Sequence, residues 1–418
     1  MAGFIALLRN GAFLTRERVR LVALTVLAAT LVGLVFLAAG ANGPNDSYGR
    51  PLGTDFASFY AAGTLVRDGL AAGAYDQAIH FAREQAIFGP ATQYFAFQYP
   101  PVFLLVAGAL AALPYVPALA VWQVATLLLY LLAMRAVLGG AHTGGAPDRL
   151  WLLLALAFPA VFINLGHGQN GFLTVALFAG ALAALDRRPL VAGILIGLMI
   201  YKPQFGPMIP LVLIATGRWR VIFGAAATVV ALLLVTFIAF GPDVWPAFLA
   251  SMTFTRVVLL EQGDVGFYKM QSVFAWVRLW GGGVTLAYIV QSLVTLSVAG
   301  ALVWFWRSPA RYPLNASALL IGTLLATPFC LDYDLMLLAP AIALLAIDGQ
   351  RDGYCAWHKL VLAVLWLLPL ISRSVAEAVS IPLAAPVMIL AFVFVLQRVM
   401  SAGTGLEDDG ALAKESVK

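Results

Sequence analysis

PLVAGILIGLMIYKPQFGPMIPLVLIAT, residues 189–216, holds two apolar runs hinged on a Lys-Pro-Gln. The runs cover 189–201 and 203–216. Arg187 and Arg188 stand just before the first, and Arg218 and Arg220 just after the second. Lys202 lies at the far end of both. Pro203 suits the first turn of a helix, where its missing N–H costs nothing. Two short helices that leave a basic rim and return to it are the pattern of a membrane hairpin, because Lys and Arg of short loops collect on the cytoplasmic side.

The same pattern extends outward in both directions. Further apolar segments cover 21–40, 117–138, 150–163, 171–185, 221–240, 284–306, 313–327, 333–347, 358–372 and 383–400. Hydrophobic residues make up 62% of the 418 and charged residues 11%, against roughly 25% charged in a soluble domain. A chain this apolar, with a mean hydropathy of +0.92, cannot cover its own surface with polar groups, so its solvent is lipid. The net charge of +5 is explained by basic residues in short loops, which argues against a nucleic-acid partner.

The expected fold is an all-α polytopic membrane protein with about twelve transmembrane helices and both termini cytoplasmic. One further short segment, 101–113, lies between Pro100-Pro101 and Pro114. Read as re-entrant, it leaves 17 of the 25 Lys and Arg on the cytoplasmic side; read as a crossing, it would reverse that bias. Helices of thirteen to fifteen residues reach about 20–23 Å, short of the ~30 Å hydrocarbon layer. Anchored at their inner ends, they would leave a recess opening outward. The domain reading is one transmembrane domain over 1–400, with long outer loops 42–100 and 241–283, and a disordered cytoplasmic tail over 401–418. Residues 55–70, 75–88 and 243–258 mix apolar and polar positions at helical spacing, which predicts amphipathic helices lying at the interface. The basic N-terminus followed by 21–40 resembles a signal peptide, but the run is long for one and reads as an uncleaved helix. Cys330 and Cys355 fall on opposite sides of the membrane, so no disulfide is expected between them.

Polar residues gather at the outer ends of the crossings, where an ionisable group is a functional candidate by default. Asp55 begins a helix; it serves either as an acid favouring the helix dipole or as a general base, whose anionic form that position supports. In GHGQN, residues 166–170, Asn170 can N-cap the next helix, while His167 and Gln169 have little reason to sit between apolar helices unless they face a polar cavity. Lys202 beside the helix start at Pro203 is either a lysine snorkelling to the interface or, with Gln204, part of a phosphate site. Asp332 can be a plain N-cap; with Asp334 it can also bind sugar hydroxyls or a cation. Arg256, Lys269 and Arg278 in the second outer loop read as solvated cations or anion ligands, and Arg373 and Glu377 as an i,i+4 pair. Gln98, Tyr99 and Gln271 complete the set. A lone His makes no metal site, and no metal or cofactor is expected. Walker, dinucleotide and GxSxG signatures are absent from the sequence. An enzyme built this way needs an activated substrate that travels in the membrane, and a polyprenyl phosphate carrying a sugar fits.

Several short motifs in order resemble the glycosyltransferase 87 (DUF2029) family over roughly residues 50–345: Gly53-Thr54-Asp55-Phe56 with Tyr60-Ala61-Ala62, then Gly69 and Ala74-Tyr75-Asp76; Phe97-Gln98-Tyr99-Pro100-Pro101; GHGQNGFLTVAL; Arg188-Pro189 to Tyr201-Lys202-Pro203-Gln204; Lys269-Met270-Gln271-Ser272; and Thr327-Pro328 with Asp332-Tyr333-Asp334. The resemblance implies a GT-C fold and transfer of a hexose, often mannose, from a polyprenyl-phosphate sugar to a lipid or glycan acceptor. It places the chain in the bacterial inner membrane with a periplasmic active site, and it maps the catalytic base to Asp55. Some members carry a His in the later Pro-containing motif; here residues 328–334 read PFCLDYD. The expected scheme is an inverting transfer in which Lys202, Arg256 and Lys269 bind the donor phosphate. Gln98, Tyr99, His167, Gln169, Asn170, Gln204, Gln271, Asp332 and Asp334 bind sugar or acceptor. The rival reading is a transporter or flippase of a lipid-linked sugar, which would share the crossings; the absence of an internal repeat and the one-sided polar set speak for an enzyme.

Overall fold

The computed structural model describes residues 2–141 and 149–415, with side chains described only within 3–139 and 149–400. Among the described residues every regular element is helical, apart from three isolated bridges. Six helices are long and apolar enough to cross a membrane: Arg16–Ala39, Tyr115–Gly139, Trp219–Phe240, Val244–Glu261, Val284–Arg307 and His358–Val379. A seventh span results if Arg149–Leu156 and Pro159–His167, bent by 46°, are taken together. The bend falls where Pro159 opens the second half, as expected of a residue that cannot continue the preceding hydrogen-bond ladder. Shorter apolar helices are Gly171–Ala184, Pro189–Tyr201, Pro203–Ala215, Tyr312–Ala326 and Ala384–Met400. At ~1.5 Å per residue the fourteen-residue Gly171–Ala184 covers about 21 Å, so it needs neighbours to shelter its ends.

The chain is a polytopic membrane protein. Tyr312–Ala326 and Leu338–Asp352 form the centre: every residue from Leu314 to Leu325 and from Leu338 to Gly349 is buried. Arg16–Ala39, Trp219–Phe240 and Val284–Arg307 lie outside. Their large apolar side chains stay open, Phe223 at 70%, Ile238 at 82% and Leu296 at 69%, which only a lipid surround makes inexpensive. At one end of the bundle, ion pairs tie Arg218 to Asp186, Arg311 to Asp348 and Asp352, and Arg398 to Asp348. The chain then runs from each of these points through one helix to the polar cluster at the other end.

The segment expected to dip in without crossing is short in the structure too, whereas two loop expectations change. The nine-residue helix Val102–Leu110 is about 13 Å long, too short to cross alone. The Thr54–Arg67 helix does not lie at an interface: Phe56, Ala57, Phe59, Ala61, Ala62 and Leu65 are buried. Its small residues are a packing face, for a Cβ on Gly63 would meet the Ala107 carbonyl oxygen at 2.1 Å. The stretch expected at the interface over 243–258 forms a helix from Val244 that turns π-helical over Thr255–Glu261. The last helix, Ala384–Glu415, continues into the stretch expected as a disordered tail; the side chains beyond residue 400, and residues 416–418 entirely, lie outside the described residues. Cys330 is buried, Cys355 is exposed, and both are free thiols.

On Gln77–Phe88, His80 and Glu84 are fully buried with Nε2 and Oε1 3.3 Å apart, out of hydrogen-bond alignment. Glu84 Oε2 accepts the Phe95 N–H at 3.1 Å. Burial pushes the Glu84 carboxyl above its ordinary value, and His80 and the Phe95 N–H offset this only in part. Such an acid holds its proton better in the folded chain. Its contribution is therefore full below the ordinary value of 4.5 and is lost as pH rises through the higher folded value. Glu84→Gln is expected to remove this loss and flatten the fall in unfolding temperature above pH 4.5. Equal slopes in the two proteins, measured by thermal unfolding in detergent across pH, would show that another group titrates.

Candidate active site

Two glycines bring the first outer helix onto the GHGQN turn. Gly53 caps Thr54–Arg67 with φ +62, and Gly168 ends Pro159–His167 with φ +62. A Cβ on either would come within 3.5 Å of the other's Cα, and one on Gly168 would strike Phe56 Cβ at 2.6 Å. Trp122 Nε1 and Gln123 Nε2 fasten this turn by donating to the carbonyls of Gly168 and Leu165. Gly168→Ala meets both the clash and the left-handed backbone, at a stability cost of about 1–3 kcal/mol. A displacement near 1 Å at the site would slow chemistry about 100-fold. Turnover of the folded variant checks this, and unchanged turnover would show that the close approach does not position Asp55.

Asp55 sits one residue past the helix start, its side chain 30% exposed. Gln169 Nε2 donates to Oδ2 at 2.7 Å, and the Thr54 hydroxyl donates to Oδ1 at 3.4 Å. Thr54 Oγ1 also lies 2.7 Å from His167 Nδ1. A hydroxyl has one hydrogen, so Thr54 donates to only one of these two partners at a time. His167 is 32% exposed. Gln169 Oε1 accepts from the Tyr99 hydroxyl at 3.3 Å and from the Asn170 N–H at 3.0 Å. The carboxylate thus has both oxygens held and a third of its surface open.

Asn170 occupies the N-cap position, but its side chain makes no cap bond; fully buried, its amide oxygen and nitrogen both lack partners. An unpaired buried amide is costly. Asp332 is not the cap of its turn either. Asp334 takes that part, accepting the Leu331 N–H at 3.0 Å, while Asp332 accepts from the Tyr333 N–H at 2.9 Å and from Arg373 Nη1 at 3.4 Å. Burial raises the Asp332 carboxyl; His167 and Arg373 draw it back down, and Asp55 pushes it up. Asp55, His167, Asp332 and Arg373 therefore share one electrostatic cluster.

Lys202 departs most from expectation. Its ammonium is 2% exposed and donates to Asp334 Oδ1 at 2.6 Å, between the rings of Phe205 and Tyr333. A cation this buried, paired with a carboxylate and walled by two rings, is closed to an incoming phosphate, so the expected phosphate lysine and sugar-binding Asp334 form an internal ion pair. Gln271 is also committed: fully buried, it donates to the Tyr268 carbonyl and accepts from the Ala384 N–H. Gln98 and Gln204 are half-buried beside the cluster's Tyr99 and Lys202. Arg256 is 63% exposed and lies 3.7 Å from Glu261. Arg278 donates to the carbonyls of Gly282 and Glu261, and Lys269 lies against the Tyr268 ring. Two site residues escape sequence reasoning. Thr54 looked like part of a helix start, and Arg373 looked paired with Glu377, whereas it turns to Asp332.

The polytopic bundle carries at one end a polar cluster built around a carboxylate about a third open. The sequence model of glycosyltransferase family 87 matches residues 97–328, and the chain belongs to that family of glycosyltransferases. The match takes in Tyr99, His167, Gln169, Lys202 and Lys269, while Asp55, Asp332 and Arg373 lie beyond its ends. No curated protein and no solved structure matches the chain.

Proposed function

We propose that this glycosyltransferase moves a hexose, mannose the first expectation, from a polyprenyl-phosphate sugar to a lipid or glycan acceptor on the extracytoplasmic face of a bacterial inner membrane. Asp55 takes the proton of an acceptor hydroxyl, the hydroxyl oxygen attacks the anomeric carbon, and the polyprenyl phosphate departs from the opposite face with inversion. His167, Gln169, Asn170 and Tyr99 orient acceptor and sugar around that carboxylate. The observation that carries the reading is Asp55 itself, held at both oxygens by Gln169 and Thr54 yet open to solvent. The side of the membrane is supported by the opposite, Arg-rich end, which suits the cytoplasm. The lipid-linked donor is supported by a site built among membrane helices. Mass spectrometry of envelope lipids and glycans from cells with and without the gene tests this. One species is expected to lack a single hexose when the gene is removed, and an unchanged set of hexose-bearing species would rule the reading out.

A further inference from the structure

Transfer from a phosphosugar leaves a phosphate that needs a cation, and Lys202, spent on Asp334, does not supply it. Lys202 is also closed to a lipid phosphate, at 2% exposure between the Phe205 and Tyr333 rings. Arg256 stands over Glu261, which also accepts from the Tyr288 hydroxyl, and Arg278 is bound to two carbonyls. Arg373 is placed differently. It comes from His358–Val379, meets Asp332 on the 331–334 turn, and lies 5.6 Å from the Tyr268 ring centroid on the Phe267–Lys269 turn. Two other parts of the chain thus converge on one guanidinium.

We infer that Arg373 is the donor-phosphate ligand, with Lys269 as its companion and Asp332 as the carboxylate that an arriving phosphate displaces; this rests on the lipid-linked phosphosugar reading above. The guanidinium is 37% exposed, and its contact with Asp332 is stretched to 3.4 Å. It has five donors, and the Asp332 contact uses one, at Nη1. Its planar fork matches two phosphate oxygens, which an ammonium does not. Lys269 Nζ lies 5.8 Å from the same Tyr268 ring centroid, so both cations lie within 6 Å of one ring centroid. Asp332, which feels Asp55 and His167 through space, ties this pair to the base. The phosphate would lie on Arg373 and Lys269, leaving the sugar between them and Asp55. While the site is empty, Asp332 holds the guanidinium in position and competes with the phosphate.

Binding of undecaprenyl phosphate, with undecaprenol as the uncharged control, to the purified full-length protein in detergent tests this. The wild type is expected to prefer the phosphate. Arg373→Gln is expected to weaken phosphate binding about 10- to 100-fold, the range for a charged hydrogen bond, without affecting undecaprenol. Arg373→Lys should recover part of the loss. Asp332→Asn removes the competitor and is expected to tighten phosphate binding several-fold, a gain that a folding defect cannot produce. An Arg373→Gln protein that keeps its preference, or an Asp332→Asn protein that binds no tighter, overturns the assignment. A wild type that binds phosphate and alcohol equally removes the lipid-phosphate donor reading itself, and the Arg373 assignment with it.

Discussion

Replacing Asp55 by Asn is expected to slow sugar transfer by about 10²- to 10⁴-fold, the span of a lost general base, with little change in stability. The carboxylate is partly open and lies at a helix start, so its removal leaves no cavity. Asn has nearly the same shape, and its carbonyl can still accept from Gln169. What it cannot do is take a proton from the acceptor hydroxyl. The loss should therefore fall on kcat, with donor binding preserved, because the proposed donor-phosphate ligands are other residues. Turnover and donor affinity measured on one preparation check this. A variant that turns over at the wild-type rate takes Asp55 out of the chemistry.

Lys202→Met is expected to destabilise the fold by about 3–5 kcal/mol, the cost of stranding one member of a buried ion pair. Asp334 is 1% exposed, and its other oxygen is occupied by the Leu331 N–H, so the orphaned charge has no route to water. Asp334→Leu should be comparably harmful, since it leaves the ammonium among Phe205 and Tyr333. The double variant should recover much of the loss, because exchanging a whole buried pair for apolar groups is often near neutral. Unfolding in detergent for the two single variants and the double variant gives the coupling directly. A phosphate-binding Lys202 would behave otherwise: its loss would weaken donor binding and leave stability nearly unchanged.

The helices were legible because apolar length is local. The run at 189–216 alone, with arginines at both outer ends and a Lys-Pro at the turn, declares its hairpin. The Thr54–Arg67 helix was legible as a helix but not in its place, because alternating small and aromatic residues suit a membrane surface and a tight interior seam equally. The site divides in the same way. Asp55, His167, Gln169 and Asn170 were found because polar residues between apolar helices stand out. Their partners were not, since the pairing of Lys202 with Asp334 spans 132 residues and that of Gln169 with Asp55 spans 114. Arg373 was misjudged for the same reason. Its nearest acid in sequence, Glu377, lies one turn away, and nothing local reveals that Asp332 and Tyr268 fold against it.

The group-transfer claim meets its most direct check when the purified protein is given a polyprenyl phosphate bearing an isotope-labelled hexose together with membrane acceptor lipids. Mass spectrometry then follows both ends of the donor. One free polyprenyl phosphate is expected for each labelled hexose gained by the acceptor, with the anomeric configuration inverted. Donor recovered intact, with no free polyprenyl phosphate and no labelled acceptor, would contradict it.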